Sequence, residues 1–428
     1  MHNKIYSLLL TAIVFLFAAS ECYTQNYDRL IIEHADSLVG TSQGDDPYRI
    51  YEGNVFFING DVKVKCDKAT HYFARNTALL VGNVRIMQDE LTMRSPYVIY
   101  NGNSKTAYAK RSVEIIDGDT YLAADSGRYN TDNMDAFFMG NVFIEDDSAL
   151  IYTDYVHHNR GTEVSHAFGN SFIRGKFTNA MILADSISNF PGKSYTLANG
   201  NPILVQIDSL NSEDEESRFD TLMIVSEVME AFRKSGDEKY FFKDSVEIYK
   251  SSVQTKAGKA FYAKDKNYIR LTEKPVVWYD STQLKADSII IRTRDNELRS
   301  IETFNNAIAM VKNDSTYSNR INQVSGDSLK IDFYEGAPVE LTSYDNARTL
   351  YFLIDKEGPS GAELKNTDKV VLTFKDGKIK LIKWIGTTNG EYYPENITNQ
   401  NPEKYNLPLF DWRNDKPLKR ELNTKYIK

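Results

Sequence analysis

Residues 82–86 read Gly82-Asn83-Val84-Arg85-Ile86, and similar stretches recur along the first half of the chain. Gly53-Asn54-Val55 lies one period of about 29 residues earlier, and Gly140-Asn141-Val142 lies two such periods later. A fixed period of this size indicates a repeat architecture, in which neighbouring units bury one another's apolar faces.

A second feature repeats with the same period: an acidic residue that follows a small one. We call these acidic positions anchors. They occur at Ala35-Asp36, Cys66-Asp67, Ala124-Asp125, Thr153-Asp154, Ala184-Asp185, Ala286-Asp287 and Gly326-Asp327. Pro96 holds one anchor position, and Asp220, Gly258 and Asp368 head degenerate copies. The repeat therefore extends over most of the chain.

Apolar residues alternate with other residues after each glycine. One face carries Val55, Phe57, Val84, Ile86, Val113, Ile115, Val142, Ile144, Val246 and Ile248. The intervening residues, such as Arg85 and Glu114, lie on the opposite face. A period of two predicts half-buried strands.

The parity of the apolar face changes at each anchor. Leu122 and Ala124 precede Asp125 at odd spacing, whereas Gly127 and Tyr129 follow it at even spacing. This change predicts a bulge or a bend at the anchor. Gly, Asn and Ser residues at 75–77, 101–104 and 130–133 predict turns. Each period is therefore predicted to hold two to three short strands, and the fold class is all-β.

The composition agrees with a strand-rich globular protein. Aromatic residues make up 12% of the chain, including 27 Tyr, and hydrophobic residues make up 41%. The net charge is −8. We see no basic stripe in the repeats, so no nucleic-acid partner is expected, because phosphate binding needs a basic face.

The first twenty residues resemble a cleaved secretory signal. Lys4 is followed by an almost wholly apolar run from Ile5 to Phe17 and by the small residues Ala18-Ala19-Ser20. The sequence thus predicts a signal peptide at 1–20, repeats at 21–340 and a degenerate repeat with a capping tail at 341–428. The mature chain is expected to be exported. Cys66 is expected to be a small core residue.

The acidic anchors admit two readings. They are either carboxylates for hydrolysis or calcium binding, or residues that hydrogen-bond at turns and bulges. Catalysis needs one special constellation, whereas the anchors recur in equivalent places, which favours hydrogen bonding. His157, His158 and His166 suggest a zinc site, but His158 holds a slot that Tyr100 and Tyr129 hold elsewhere, which favours a packed ring. We expect no catalytic residue, cofactor or metal, and no enzyme.

Aromatic residues beside prolines mark the C-terminal tail, at Tyr393-Pro394 and at Leu407-Pro408-Leu409-Phe410. They either cover the last repeat as a cap or bind a partner. A terminal repeat must cover its apolar face, which favours the cap.

The ladder of glycine–asparagine–valine starts and Ala-Asp-Ser segments resembles the OstA-like family, which includes LptA. The most similar stretches are Gly82-Asn83-Val84-Arg85-Ile86, Ala124-Asp125-Ser126-Gly127-Arg128-Tyr129 and Gly140-Asn141-Val142, and the resemblance covers about residues 30–340. It implies an elongated, twisted β-jellyroll whose sheets enclose an apolar groove for lipid acyl chains. The ten apolar residues of the alternating face would line this groove.

The resemblance also implies partners and a compartment. The partners would be lipopolysaccharide or its lipid A, together with other Lpt-type jellyrolls or a second copy of the chain, joined head to tail. The compartment would be the periplasm, in association with the outer membrane. The alternative is a structural β-solenoid or surface adhesin with a packed interior. The sequence leaves both open, because the same alternation lines an open groove and a filled one.

Overall fold

The computed structural model describes residues 31–422 except 42, 60–61, 89, 131–132, 178, 211–217, 235, 295–296, 313–316, 318, 357 and 376. The predicted signal peptide at 1–20 lies outside the described residues. The chain divides into two compact units, one of residues 1–202 with 422–428 and one of residues 203–421. The predicted boundary at 340/341 falls within a strand, Ala337–Asp355, and remains a prediction.

The first unit is built of antiparallel strands. They are β1 (Ile31–His34), β2 (Ser37–Thr41), β3 (Tyr48–Asn59), β4 (Val62–Tyr72), β5 (Thr77–Gln88), β6 (Leu91–Asn101), β7 (Thr106–Lys110), β8 (Val113–Asp117), β9 (Thr120–Ala124), β10 (Ser126–Asn130), β11 (Asp135–Glu145), β12 (Ala149–Asn159), β13 (Val164–Gly175), β14 (Ala180–Phe190) and β15 (Tyr195–Asn199). A 3₁₀ turn at Pro191–Lys193 joins the last two.

The second unit continues in the same way. Its strands are β16 (Ile203–Leu210), β17 (Arg218–Val225), β18 (Val228–Lys234), β19 (Asp237–Tyr249), β20 (Gln254–Ala263), β21 (Tyr268–Thr272), β22 (Val276–Tyr279), β23 (Thr282–Lys285), β24 (Ser288–Arg294), β25 (Glu297–Val311), β26 (Asn322–Tyr334), β27 (Ala337–Asp355), β28 (Gly358–Lys375), β29 (Lys378–Ile385) and β30 (Asn389–Tyr393). Short helical turns lie at Lys264–Lys266, α1 (Glu395–Thr398) and Pro402–Tyr405. No helix within the described ranges is long and apolar enough to cross a membrane.

The predicted all-β class is confirmed, but the prediction of short strands is wrong. Many strands are 11 or 12 residues long, as in β4 and β5, and bend in the middle. The strands stay long because pairing resumes on both sides of each bulge, so the bulge bends a strand without ending it.

The bend between β4 and β5 shows why the repeat needs its particular residues. Lys65 pairs with Arg85 and Lys68 pairs with Val81, so the register shifts between them. Gly82 (φ +75°) and Asn83 (φ +44°) occupy left-handed backbone inside this shift. A Cβ on Gly82 would lie 2.2 Å from Asp67 Oδ2. Only glycine therefore fits here, by backbone conformation and by space.

The asparagine after this glycine donates a hydrogen bond to the anchor. Asn83 Nδ2 lies 2.9 Å from Asp67 Oδ2. The same bond joins Asn54 to Asp36, Asn141 to Asp125, Asn170 to Asp154, Asn306 to Asp287 and Asn346 to Asp327, at 2.8–3.1 Å. We call this arrangement the Asp–Asn bend. It confirms that the anchors act in hydrogen bonding at bulges.

Two bends, at Pro96 and Gly258, form without an aspartate at the anchor position. At Pro96 the preceding Ser95 donates its hydroxyl to the carbonyl of Ser112, at 2.8 Å. At Gly258 the glycine holds the position that the acid holds in other repeats, and the acid, Glu273, lies directly after the partner strand. A Cβ on Gly258 would lie 2.5 Å from the carboxylate of Glu273, which itself has a φ of +64°. The bend thus tolerates changes of residue on either strand, and Asn305 and Asp345 hold its left-handed position without glycine.

The proposed anchor at Asp220 is wrong. The bend in this repeat lies at Glu227, whose Oε1 accepts the hydroxyl of Ser245 at 3.1 Å. Asp220 instead accepts the backbone N–H of Ser251 at 3.3 Å and so holds the turn after β19. The insertion before β17 moved the bend relative to the 29-residue count, whereas Asp368 does lie at a bend, beside Gly386.

Each bend carries the chain from one sheet of the first unit to the other. In β4, residues 68–72 pair with 48–52 and 77–81, whereas 62–66 pair with 55–59 and 85–87. We call the sheet of the former segments sheet 1 and that of the latter sheet 2. Because every crossing occurs at a bend, the bends line one side of the unit and the hairpin turns line the other.

The core of the first unit lies between the two sheets. It is one cluster that joins Val64 and Val84 of sheet 2 to Ala69, Leu80 and Val98 of sheet 1. Cys66 is a free thiol in this cluster, and burial raises its pKa to about 12. The prediction that Cys66 is a small core residue is thereby confirmed.

The predicted turns close the hairpins of sheet 1. Asn101 and Asn159 each accept a backbone N–H three residues ahead, from Ser104 and Thr162. Asn159 Nδ2 also donates to the carbonyl of Asn133 in the preceding turn, at 2.9 Å. Successive turns are therefore joined to one another by asparagine side chains.

The C-terminal tail packs against the second unit. Leu407 is buried in a cluster with Ile308, Met310, Ile321, Leu350, Phe352 and Ala362. Farther along, the backbone of Arg413 exchanges two hydrogen bonds with the buried side chain of Gln283. Arg420 reaches Glu247 at 2.6 Å. The tail thus runs back across strands β26, β23 and β19 and extends well beyond the last repeat.

Candidate functional site

The ten apolar residues singled out in the sequence lie inside the two units. Nine of them are between 1% and 4% exposed: Val55, Val84, Ile86, Val113, Ile115, Val142, Ile144, Val246 and Ile248. Phe57 is partly buried and packs against the core of the first unit. The alternation therefore placed all ten on the inner face of their strands.

The neighbouring residues of opposite parity lie on the outer face. Arg85 is exposed and Glu114 is half-buried, each one step along the strand from a buried residue. Phe143 also lies outside, where its ring contacts Tyr121 and Tyr152. The inner and outer faces of sheet 2 thus differ sharply in polarity.

Sheet 1 supplies the facing wall. Its inward residues in the first unit include Leu80, Val98, Ala109, Tyr129 and Phe138, all buried in the same cluster as the valines and isoleucines of sheet 2. Side chains from both walls fill most of the space between them. The interior is continuous and apolar, as lipid contact would require.

A small cavity of about 30 Å³ remains between the walls. Val113 and Ile115 line it on one side, and Met93, Val98 and Phe138 are among its other walls. This volume admits about one or two water molecules. An acyl chain enters only where side chains or sheets move apart.

The repeat departs from its pattern at one residue in the wall of this cavity. Two residues after the anchor, other repeats carry Val98, Val156 or Ile187, but here the chain has Gly127. A Cβ on Gly127 would lie 3.1 Å from the Phe138 ring. Phe138 lies directly opposite Gly127 on β11, so its ring occupies the space next to the missing side chain.

Tyr129 is a polar residue in the wall of this cavity, and its polar group is a hydroxyl. It is 5% exposed and its hydroxyl has no hydrogen-bond partner within the described ranges. Burial raises the pKa of this hydroxyl to about 12, so it stays protonated at neutral pH. The cavity is therefore apolar with a neutral hydroxyl at its wall.

The histidines considered for a metal site have other contacts. His158 is buried and its Nδ1 lies 3.0 Å from the hydroxyl of Ser165. His157 stacks on Phe137 at 4.3 Å, and its Nε2 lies 3.0 Å from Asp135. Burial, then the charge of His157, lowers the pKa of His166. In the described part of the chain, no three His, Cys, Asp or Glu side chains come close enough to hold a metal.

Two family models match the chain in overlapping segments. The model described as OstA-like protein matches residues 27–140. The model described as LptA/(LptD N-terminal domain) LPS transport protein matches residues 121–297. The resemblance that the repeated motifs indicated is confirmed by these matches.

Among solved structures, the chain is similar to LptH from Pseudomonas aeruginosa, the LptA homologous periplasmic component of the conserved lipopolysaccharide transport device. The identity is 12% and the TM-score is 0.25, and the alignment covers 33% of this chain and 95% of LptH. Comparison with curated protein sequences gives no match.

Proposed function

We propose, on the premise that this chain belongs to the OstA/LptA-like family, that it is a periplasmic bridge protein that carries lipopolysaccharide for outer-membrane assembly. Acyl chains would lie between sheets 1 and 2, and the sugars would stay in solvent. The families matched are transport families, so the role proposed is binding and transfer without catalysis.

One observation carries this proposal: the continuous apolar inner face formed by the repeats. Val84, Ile86, Val113, Ile115 and Val142 lie on every second strand segment of sheet 2 and belong to one buried cluster. Each methylene taken out of water contributes about 0.8 kcal/mol. A lipid with several acyl chains would therefore bind firmly once the walls part.

The cavity beside Gly127 is the proposed starting point for lipid entry. The walls already leave space here, so less packing must be lost than elsewhere in the first unit. The neutral hydroxyl of Tyr129 would donate a hydrogen bond to an ester or hydroxyl oxygen of the lipid. Burial without such a partner costs free energy, which a polar lipid atom would recover.

A structural solenoid or surface adhesin is the second candidate. The small volume of the cavity favours it, because well-filled interiors serve stability as much as binding. The two candidates differ in one respect, which is whether the inner walls separate to admit a lipid.

Delipidation and rebinding distinguish them. The purified chain, stripped of lipid and refolded, should rebind lipopolysaccharide in a stoichiometric complex. Gly127→Val presses on the Phe138 ring in the wall of the cavity and should weaken rebinding several-fold, whereas Gly192→Val, at an exposed turn with no atom within 4 Å, should not. Circular dichroism must show that all three chains are folded. Failure of the folded parent chain to rebind lipid would favour the packed solenoid.

Head-to-tail association is the proposed mode of partnering. Strands β1 and β2 pair only with β3 among the described residues, and Leu38 and Val39 on this edge are 60% and 58% exposed. Unpaired edges accept a further strand. In the second unit β29 pairs with β28 and carries lysines, including Lys380 and Lys383.

The charges of these two edges favour contact of one edge with the other, and not of an edge with its own copy. Glu33 and Asp45 lie at the first edge, so the lysines of β29 would meet acidic residues of another copy or of a related jellyroll. Sedimentation should show association that rises with concentration and is lost in Lys380→Glu/Lys383→Glu. A parent chain that stays monomeric at every concentration would refute self-association.

A further inference from the structure

Three cations stand in a row on the outer face of sheet 2 in the first unit. Lys65 of β4 lies directly opposite Arg85 of β5, which lies directly opposite Arg94 of β6. Lys63 lies two residues before Lys65 and so points to the same face. All four side chains are exposed. We call these four residues the basic row. The expectation that the repeats carry no basic stripe is therefore wrong, because strand pairing brings together cations that are far apart in the sequence.

The basic row places like charges directly opposite one another, and one acid, Glu114, lies opposite Arg94 at its end. Lys65 contacts the Phe56 ring at 5.2 Å, and none of the four cations forms a salt bridge with a residue that the structure describes. Glu114 follows Arg94 across the strands but makes no salt bridge with it. Side chains directly opposite in a sheet lie about 4.5–5.5 Å apart, and like charges at that distance repel. The row is therefore destabilising in the free protein.

Some other lysines of the chain are paired with carboxylates. Lys68 lies 2.6 Å from Glu52, Lys239 lies 2.5 Å from Asp237 and Lys259 lies 2.6 Å from Glu273. The whole chain carries a net charge of −8. The basic row thus brings four exposed cations together without a salt bridge to a described residue, in a chain whose net charge is negative.

Apolar side chains accompany the basic row. Phe56, Ile58, Met87 and Ile116 are half-buried on the same outer face. The row lies on the open face of a sheet, so its cations stand side by side and do not converge on one point. A small anion would find no enclosed site there, whereas an extended anionic surface would meet all four charges and the apolar groups between them.

We propose that the basic row binds the surface of an anionic phospholipid bilayer. The phosphate groups of the lipids would neutralise the opposed cations and so remove their mutual repulsion. Phe56 and Met87 would lie at the level of the headgroups. This inference is independent of lipid carriage between the sheets, because it concerns the opposite face of sheet 2.

Vesicle flotation tests this inference. Vesicles of equal parts phosphatidylglycerol and phosphatidylcholine should bind the purified chain at low salt much more tightly than vesicles of phosphatidylcholine alone. The triple variant Lys65→Gln/Arg85→Gln/Arg94→Gln should lose about 100-fold of this preference. High salt should weaken binding of the parent chain, because it screens exposed charges.

A matched variant controls for net charge. Lys68→Gln/Lys239→Gln/Lys259→Gln removes three exposed cations that are paired with carboxylates, and it should keep the preference for anionic vesicles. Any binding through the apolar N-terminal run would be equal in all variants and present with neutral vesicles. Equal binding of the parent chain to both vesicle types would overturn the proposal. So would equal losses in the two triple variants when circular dichroism shows both folded. The vesicles contain no lipopolysaccharide, so the outcome is separate from that of the rebinding test.

Discussion

Glycine and asparagine have separate tasks at the Asp–Asn bend of Asp67. Gly82 allows the close approach of Asp67, and Asn83 adopts left-handed backbone while its amide bonds the same carboxylate. Asparagine tolerates this backbone better than most residues, and its amide supplies the donor that the anchor needs. The repeated triplet is therefore a single structural device.

Gly82→Ala tests this device. The new Cβ would face Asp67 Oδ2 at 2.2 Å in a left-handed conformation, so the bond from Asn83 would break or the bend would shift. Strain of about 1–2 kcal/mol and a lost hydrogen bond of about 1 kcal/mol add to a loss of about 2–3 kcal/mol. Urea unfolding of the parent and variant chains measures the difference.

Gly192→Ala serves as the control for this measurement. Gly192 has no atom within 4 Å of an added Cβ and its φ is not positive, so its replacement should leave stability nearly unchanged. A Gly82 variant as stable as the Gly192 variant would show that the bend does not require glycine.

The period and parity of the sequence predicted most features at the scale of single residues. The bend at Asp67, the inward position of Val84 and the turn at Asn101 all follow from local patterns. The bend at Glu227 did not follow, because an insertion displaced it and its donor is Ser245. Serine and glutamate at this site carry no visible repeat signal.

At the scale of elements, the tail is held by a buried ion pair. Arg320 is 5% exposed at its side chain, and its Nη1 and Nη2 lie 2.9 and 2.5 Å from the two carboxylate oxygens of Glu395 at the start of α1. The hydrogen bonds from Arg320 hold the pKa of Glu395 below its usual 4.5. The ionised form is therefore the one that favours tail docking.

The pH dependence of this pair gives a prediction. A carboxyl whose pKa is lowered on folding contributes stability above its unfolded pKa and loses it as the pH falls through the folded pKa. Glu395→Gln should therefore lower the free energy of unfolding by about 2 kcal/mol at neutral pH. The difference between the two chains should shrink as the pH falls below 4.5. Thermal unfolding across this range measures it.

Glu335→Gln provides the matched control, since Glu335 is exposed in the turn between β26 and β27. It should change stability little at any pH. A Glu395 variant with the same stability deficit at low pH as at neutral pH would contradict the role assigned to the ionised pair.

The docking of the tail was beyond the reach of local patterns. Gln283 and Arg413 are 130 residues apart in sequence, and Arg320 and Glu395 are 75 apart. Neither pair belongs to the 29-residue repeat. Proline and aromatic residues indicated a segment that packs somewhere, but only the fold brings its partners together.

At the scale of the whole molecule, the repeats determine the fold more clearly than the function. Alternation placed Val113 and Ile115 on an inner face, and it would have done so for an open groove or a filled one. Cavity volume depends on the size of side chains from two facing walls, as Phe138 of sheet 1 and Ile115 of sheet 2 illustrate. Sequence periodicity does not report the combined volume of the side chains from both walls.

The central claim is that the inner walls separate to hold lipid acyl chains. Photo-crosslinking in cells tests it most directly, with a photoreactive residue at Ile115 or Ile144 and a matched one at Glu114 or Phe143. One step along a strand reverses the face, so the two sets differ only in the side of sheet 2 that they sample. We expect adducts of lipopolysaccharide from the inner positions alone. Equal capture from both faces, or no capture from Ile115 in a folded chain, would contradict the claim.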